Sequence, residues 1–172
     1  MFNKILVPLD GSLLAETTLR AAAAIAKAME AELLLVQVPV TQVVLHDPVL
    51  GHGIVWPEDA NRKLVQEAEA YLADVEKRPF LAPLPVTTII EEGEAASTIV
   101  KIAEEAEADL IIMSTHGYSG VTRWLLGSVT EKVLRHAPCP VLALRGEAEL
   151  NQMLITLDDS EWSEAVLAPA AA

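Results

Sequence analysis

With 172 residues, 52% of them hydrophobic and 22% charged, the chain holds enough for one full α/β domain and a remainder, and is too apolar to be disordered. Its 25 acidic and 12 basic residues give a formal net charge of −13. That charge repels nucleic acid and anionic membrane surfaces, but leaves room for a nucleotide held locally by backbone N–H groups. The single cysteine, Cys139, excludes an internal disulfide, and no Cys/His spacing points to structural zinc.

The chain opens with Met1-Phe2-Asn3-Lys4 and runs straight into the apolar run Ile5 to Leu9, a short buried strand closed by Asp10-Gly11-Ser12. No signal-peptide hydrophobic region precedes it, and Lys27, Glu30 and Glu32 break the longest apolar stretches too early for a bilayer span. The expectation is a soluble cytoplasmic protein. A helix rich in alanine follows through Ala28, and Leu33 to Val38 is a second strand, too apolar for an exposed antiparallel edge. Residues 39–57, with Pro39, Pro48, Gly51, Gly53 and Pro57, lose regular pattern and read as a long loop or lid, Pro57 standing where the next helix begins.

That helix presents Leu64, Ala68, Tyr71, Leu72 and Val75 on one face and ends before Pro79, Pro83 and Pro85. Val86 to Ile90 is a third strand. Ile99, Ile102, Ala103 and Ala106 mark the inward face of a third helix, Leu110 to Met113 a fourth strand, Ser128 to His136 a fourth helix and Val141 to Leu144 a fifth strand. Cys139, between Pro138 and Pro140 at the head of that last strand, reads as a small core residue. Strands and helices in alternation predict a five-stranded, doubly wound parallel sheet with helices on both faces. In such sheets ligands bind beyond the carboxyl ends of the strands, where the winding reverses.

The tail repeats the start. Residues 4–24 and 152–172 align at one constant offset, so that Leu6, Leu9, Asp10, Ser12, Glu16 and Leu19 recur as Leu154, Leu157, Asp158, Ser160, Glu164 and Leu167. Residues 1–147 are therefore read as one domain and 148–172 as the truncated start of a second, similar one. A chance match of an amphipathic tail is the alternative.

Ser114-Thr115-His116-Gly117, nine further residues and Gly127-Ser128 stand between the fourth strand and the fourth helix. Glycines just before a helix N-terminus let an anion approach unpaired backbone N–H groups and the positive end of the helix dipole. Ser128 and Glu131 fit a reciprocal Ser-x-x-Glu capping box, predicting where that helix begins. Each candidate also has a plainer role. Asp10 suits a turn, and Gly127 and Ser128 suit a loop exit and cap, although Gly117 and Gly120 after a buried strand are left over. His116 fits loop packing, His46, Asp47 and His52 are read as solvated rather than metal-bound, and Arg123 and Trp124 as loop anchors, with contact to a nucleotide's phosphates the alternative for Arg123.

Ile5-Leu6-Val7-Pro8-Leu9-Asp10-Gly11-Ser12 and Gly127-Ser128-Val129-Thr130-Glu131-Lys132-Val133-Leu134, followed by Pro138-Cys139-Pro140-Val141-Leu142, resemble the universal stress protein family over residues 3–146. The resemblance implies an adenine-nucleotide alpha-hydrolase-like sheet, a homodimer through the fifth strand, and a regulatory module that binds ATP, with Mg²⁺; the tail, a strand-helix unit that cannot bury its own apolar face, is expected to dock on the free edge of its own sheet or, in preference, on a second copy. It implies a site of Pro8, Asp10, Val38, Met113, Ser114, Gly117, Gly127, Ser128 and Val129. Within it Asp10 lies against ribose and adenine, Val38 faces the adenine, and Gly117, Gly127, Ser128 and Val129 face the phosphates. Ser114 departs from the pattern of the ATP-binding branch, which has its first glycine there. A non-binding dimerisation module and a slow ATP-hydrolysing enzyme stay open; an ATP pyrophosphatase is disfavoured, because its Ser-Gly-Gly-x-Asp-Ser loop is replaced by Val7-Pro8-Leu9-Asp10-Gly11-Ser12. No residue is assigned a catalytic or metal-ligating role.

Overall fold

The computed structural model describes residues 2–39, 44–47, 51–54, 58–115, 127–146, 155, 157, 160–165 and 167–170. Five parallel strands, β1 (Lys4–Leu9), β2 (Glu32–Gln37), β5 (Val86–Ile90), β6 (Leu110–Ser114) and β7 (Val141–Leu144), form one sheet in the order β5-β2-β1-β6-β7. The chain builds outward from β1 to one side, then returns to build the other, so the winding reverses between β1 and β6. The doubly wound sheet expected from the alternation of elements is the fold.

Alternating side chains of β1 divide the core into two layers. Ile5, Val7 and Leu9 pack with Leu19, Ala22 and Ala26 of α2 (Thr18–Met29) and with Leu72 and Val75 of α3 (Glu58–Glu76). Leu6 faces the other side, with Val36, Met113, Ile99 and Ile102 of α4 (Ala95–Glu105) and Val133 of α5 (Ser128–His136). Each such Leu or Ile taken from water contributes about 1.5–3 kcal/mol. Cys139 packs half-buried on the second layer, and that burial, with Asp109 nearby, pushes its thiol up to about 11, so it stays protonated at neutral pH.

Two expectations are corrected. The first helix is two: α1 (Leu13–Glu16) and α2 meet at Thr17, where the Thr17 and Thr18 hydroxyls donate to the carbonyls of Leu14 and Ala15, both at 2.7 Å. Such back-bonding competes with the helix ladder. Residues 39–57 are not wholly irregular either. β3 (Val44–Asp47) and β4 (Gly51–Ile54) pair antiparallel, with His46 opposite His52 in register. Two adjacent short strands satisfy each other's backbone, a pairing hidden in sequence by the prolines and glycines around them. Pro57 lies outside the described residues, and α3 starts at the next position. Two short helices, α6 (Glu161–Glu164) and α7 (Leu167–Ala170), stand in the tail.

Candidate functional site

β1 and β6 pair only at Ile5–Leu110 and Leu6–Ile111, although both strands continue. Pro8 has no N–H to give to a ladder. Beyond that point, at the carboxyl ends of the strands, lies a cavity of about 290 Å³, at the topological switch point where α/β sheets bind ligands. Val36, Val38, Ile99 and Met113 supply apolar wall, and Pro8 and Leu9 the end of β1. Gly127, Ser128, Val129 and Thr130, the start of α5, close the other side.

The start of α5 corrects the capping-box expectation. Gly127, not Ser128, is the N-cap, no side chain caps the helix among the described residues, and the Glu131 carboxylate accepts from Arg135 instead (2.9 Å to Nη2). With the cap one residue earlier, Glu131 falls a position too late to reach back. The first intrahelical bond runs from Glu131 N to Gly127 O (2.9 Å), so the N–H groups of Ser128, Val129 and Thr130 precede the ladder. Gly127 has φ −60° and ψ 143°, which any residue adopts. Its lack of a side chain at the cavity wall, rather than its backbone freedom, is what sets it apart.

The rest of the wall is held in place by short hydrogen bonds. Buried Thr130 donates its hydroxyl to the Ser114 carbonyl at 2.9 Å, tying α5 to the end of β6. Gly127 N donates to Thr115 O at 2.8 Å, closing the neck of the intervening loop, and Thr115 N donates to Leu144 O at 2.8 Å. Asp10 is exposed at the cavity rim, and its Oδ1 accepts from Ser12 N (3.0 Å) and Ser12 Oγ (2.6 Å). Ser12 Oγ in turn accepts from Ala15 N (3.1 Å), capping α1. Asp10 therefore does the turn work that sequence allowed it, and the same turn fixes its carboxylate at the rim.

Pro8, Asp10, Val38, Met113, Ser114, Gly127, Ser128 and Val129 thus converge on one cavity. Gly117, with His116, Gly120, Arg123 and Trp124, lies outside the described residues. Sequence reading missed Val36, Ile99 and Thr130. Val36 was within reach, two residues before Val38 on the same strand face. Ile99 was read only as core, and Thr130 carries no local signal because its partner lies in another element. Among the described residues no group of three or more His, Cys, Asp or Glu side chains is placed to hold a metal. An apolar slot with helix N–H groups at one end and a carboxylate at its rim suits a ligand that joins a flat apolar part to an anionic one.

The profile of the universal stress protein family matches residues 1–145. A universal stress protein of Methanocaldococcus jannaschii is 35% identical over 145 residues, 84% of this chain and 83% of its own length. The structure of the universal stress protein UspA from Lactobacillus plantarum superposes with a TM-score of 0.67 at 29% identity, covering 84% of this chain and 98% of that one. A universal stress protein from Archaeoglobus fulgidus shares the fold at 23% identity and a TM-score of 0.79, over 99% of this chain and 62% of its own. Two more distant structures of the same fold were solved with nucleotides. One holds cAMP (22% identity, TM-score 0.64, 84% of this chain and 98% of that one). The other, from Arabidopsis thaliana, holds AMP (17%, 0.59, 85% and 93%).

Proposed function

This chain belongs to the universal stress protein family, and from that premise we propose that it is a regulatory module of the stress response that binds ATP, with Mg²⁺, in the cavity between β1 and β6. The observation that carries this reading is the start of α5. A glycine N-cap that no described side chain caps presents the helix's first N–H groups to a cavity whose other walls are mostly apolar. Anions at such a terminus gain about 0.3–1 kcal/mol from the helix dipole, and up to about 2 kcal/mol in partly buried geometry. AMP and cAMP in structures of the same fold support a nucleotide as the ligand class.

On this reading Gly117, Gly127, Ser128 and Val129 hold the phosphates, Asp10 meets ribose and adenine, Val38 faces the adenine, and Pro8, Met113 and Ser114 border the nucleoside. Occupancy then alters shape or partner choice, in a cytoplasmic homodimer whose copies associate along the β7 margin. Among the described residues no helix is long and apolar enough to cross a membrane. Calorimetric titration with ATP and Mg²⁺ is the test, and one site per chain is expected. Absence of heat, and of competition, up to millimolar ATP would move the chain to the dimerisation module without nucleotide.

A further inference from the structure

We propose that Glu16 and Arg78 are positioning residues of the nucleotide cavity: their ion pair latches the short helix α1, and through it the Asp10 turn, to the frame of α3. α1 is only four residues long and is set off from α2 at Thr17. Of its four residues Ala15 alone is buried, and Leu13 is 83% exposed. An alanine has little apolar surface to bury, so packing gives this segment a weak hold. Yet α1 borders the ligand. Ala15 lines the cavity, and Ser12, the N-cap of α1, donates to the Asp10 carboxylate at the rim.

The latch stands at the other end of α1. Glu16, its last residue, accepts from Arg78 Nη2 at 2.7 Å, and the two side chains are 14 and 30% exposed. A charge-assisted bond at that distance is of the strong kind, and one largely shielded from solvent is little screened. Arg78 is itself fixed, in the turn that follows α3. Its N–H donates to Val75 O at 3.1 Å and its carbonyl accepts from Leu81 N at 2.9 Å, with Val75 and Leu81 fully buried. Tyr71 of α3 lies beside the pair. Its hydroxyl oxygen is buried, and burial first, then the Glu16 carboxylate, push the phenol above its ordinary range. It therefore stands by Glu16 as a neutral hydroxyl, and Arg78 supplies the opposite charge.

Between latch and rim the hydrogen bonds run without a gap. Glu16 N donates to Ser12 O at 3.2 Å and Ala15 N to Ser12 Oγ at 3.1 Å, so the segment that carries the Glu16 side chain also sets Ser12. Ser12 N and Ser12 Oγ then donate to Asp10 Oδ1 at 3.0 and 2.6 Å. Without the Arg78 charge, Glu16 is left ionised in a mostly buried place, a costly state that is relieved by turning the carboxylate out to water. α1 then shifts with it, and the Asp10 carboxylate leaves the rim position in which it meets ribose and adenine. This inference rests on the nucleotide reading of the cavity.

The experiment titrates the full chain with ATP and Mg²⁺ by calorimetry, for wild type, R78Q, R78K, D10N and D10N/R78Q, and follows amide hydrogen exchange without nucleotide. R78Q is expected to bind ATP roughly tenfold more weakly, and R78K, which keeps the charge, within about threefold of wild type. In the D10N background R78Q should change affinity by less than about twofold, because the latch acts through Asp10. The amides of Ala15 and Glu16 should exchange faster in R78Q, and those of Leu6 and Ile111 should be far less affected. Wild-type affinity in R78Q, an R78K no better than R78Q, the same loss in the D10N background, or equal acceleration of exchange throughout the sheet would overturn the latch while leaving the nucleotide reading intact. A wild type that binds no ATP would overturn both.

Discussion

Two helices begin side by side on the same face of the sheet, and they begin differently. At α4 the chain plugs its own helix start: the Glu94 carboxylate accepts from Ser97 N (2.9 Å) and from Ser97 Oγ (2.9 Å), and Lys132 of α5 pairs with it at 2.9 Å. The hydrogen bond from Lys132, then those from Ser97, hold Glu94 down at about 2. At α5 a glycine stands where α4 has that carboxylate, and among the described residues no side chain caps the helix. Both starts reach the cavity, through Ala95 and through Gly127. A helix start that carries its own anion has little use for another; one left open beside an apolar slot is a site for a phosphate.

The largest expected effect comes from closing the open start. Gly127→Val keeps an allowed backbone but fills the cavity wall, and should weaken ATP binding roughly a hundredfold or more in titration, with a melting point lowered by only about 2–4 °C. Unchanged affinity would place the phosphates elsewhere. Next is the closed start. Gly93 precedes Glu94 at φ 155°, and a Cβ there would lie 2.4 Å from Thr98 Oγ1. Gly93→Ala should cost about 1–3 kcal/mol in denaturant unfolding, more than its effect on ATP affinity.

Thr130→Val removes the hydroxyl that ties α5 to Ser114, and with it that hydrogen bond to a buried carbonyl. A loss of about 1–2 kcal/mol and a few-fold weaker ATP binding are expected; an unchanged affinity would show that the tie does not position the site. Glu94→Gln tests the plug through pH. Because the folded value is depressed from 4.5 to about 2, the carboxylate's contribution is complete above about 4.5 and is lost as pH falls towards 2. Glu94 is more than half exposed, so solvent screening keeps that contribution below about 1 kcal/mol. Wild type should lose slightly more stability than the variant between those pH values, and parallel curves would deny the plug its charge. The smallest effect is expected from Ser114→Gly, which should tighten ATP binding slightly or leave it unchanged. Removing Cβ widens the approach, so a clear loss would identify Ser114 as a ligand.

Sequence showed best what is set by local periodicity. The bounds of β5, α5 and β7 follow from short apolar runs and one amphipathic helix, each decided by side chains within the element. The β3–β4 pairing was hidden because two short strands stabilise each other without either carrying a strong pattern. The capping box failed for a related reason. Ser128 and Glu131 have the right spacing, but Thr130's bond to Ser114 and Gly127's to Thr115 anchor the helix to β6, and tertiary contacts outrank a local preference. Thr130 itself was illegible, since its partner is the backbone of another strand, whereas Pro8, Asp10 and Val38 could be placed because strand ends face the cavity in any sheet wound this way.

The central claim is that the open start of α5, and not the plugged start of α4, receives the phosphates. The most direct measurement is an amide ¹H–¹⁵N NMR titration of the full chain with ATP and Mg²⁺. The account predicts the largest shifts at the N–H groups of Ser128, Val129 and Thr130, with Ala96 and Ser97 much less affected. Saturation with the α5 amides unmoved, or with the larger shifts at the start of α4, would contradict it.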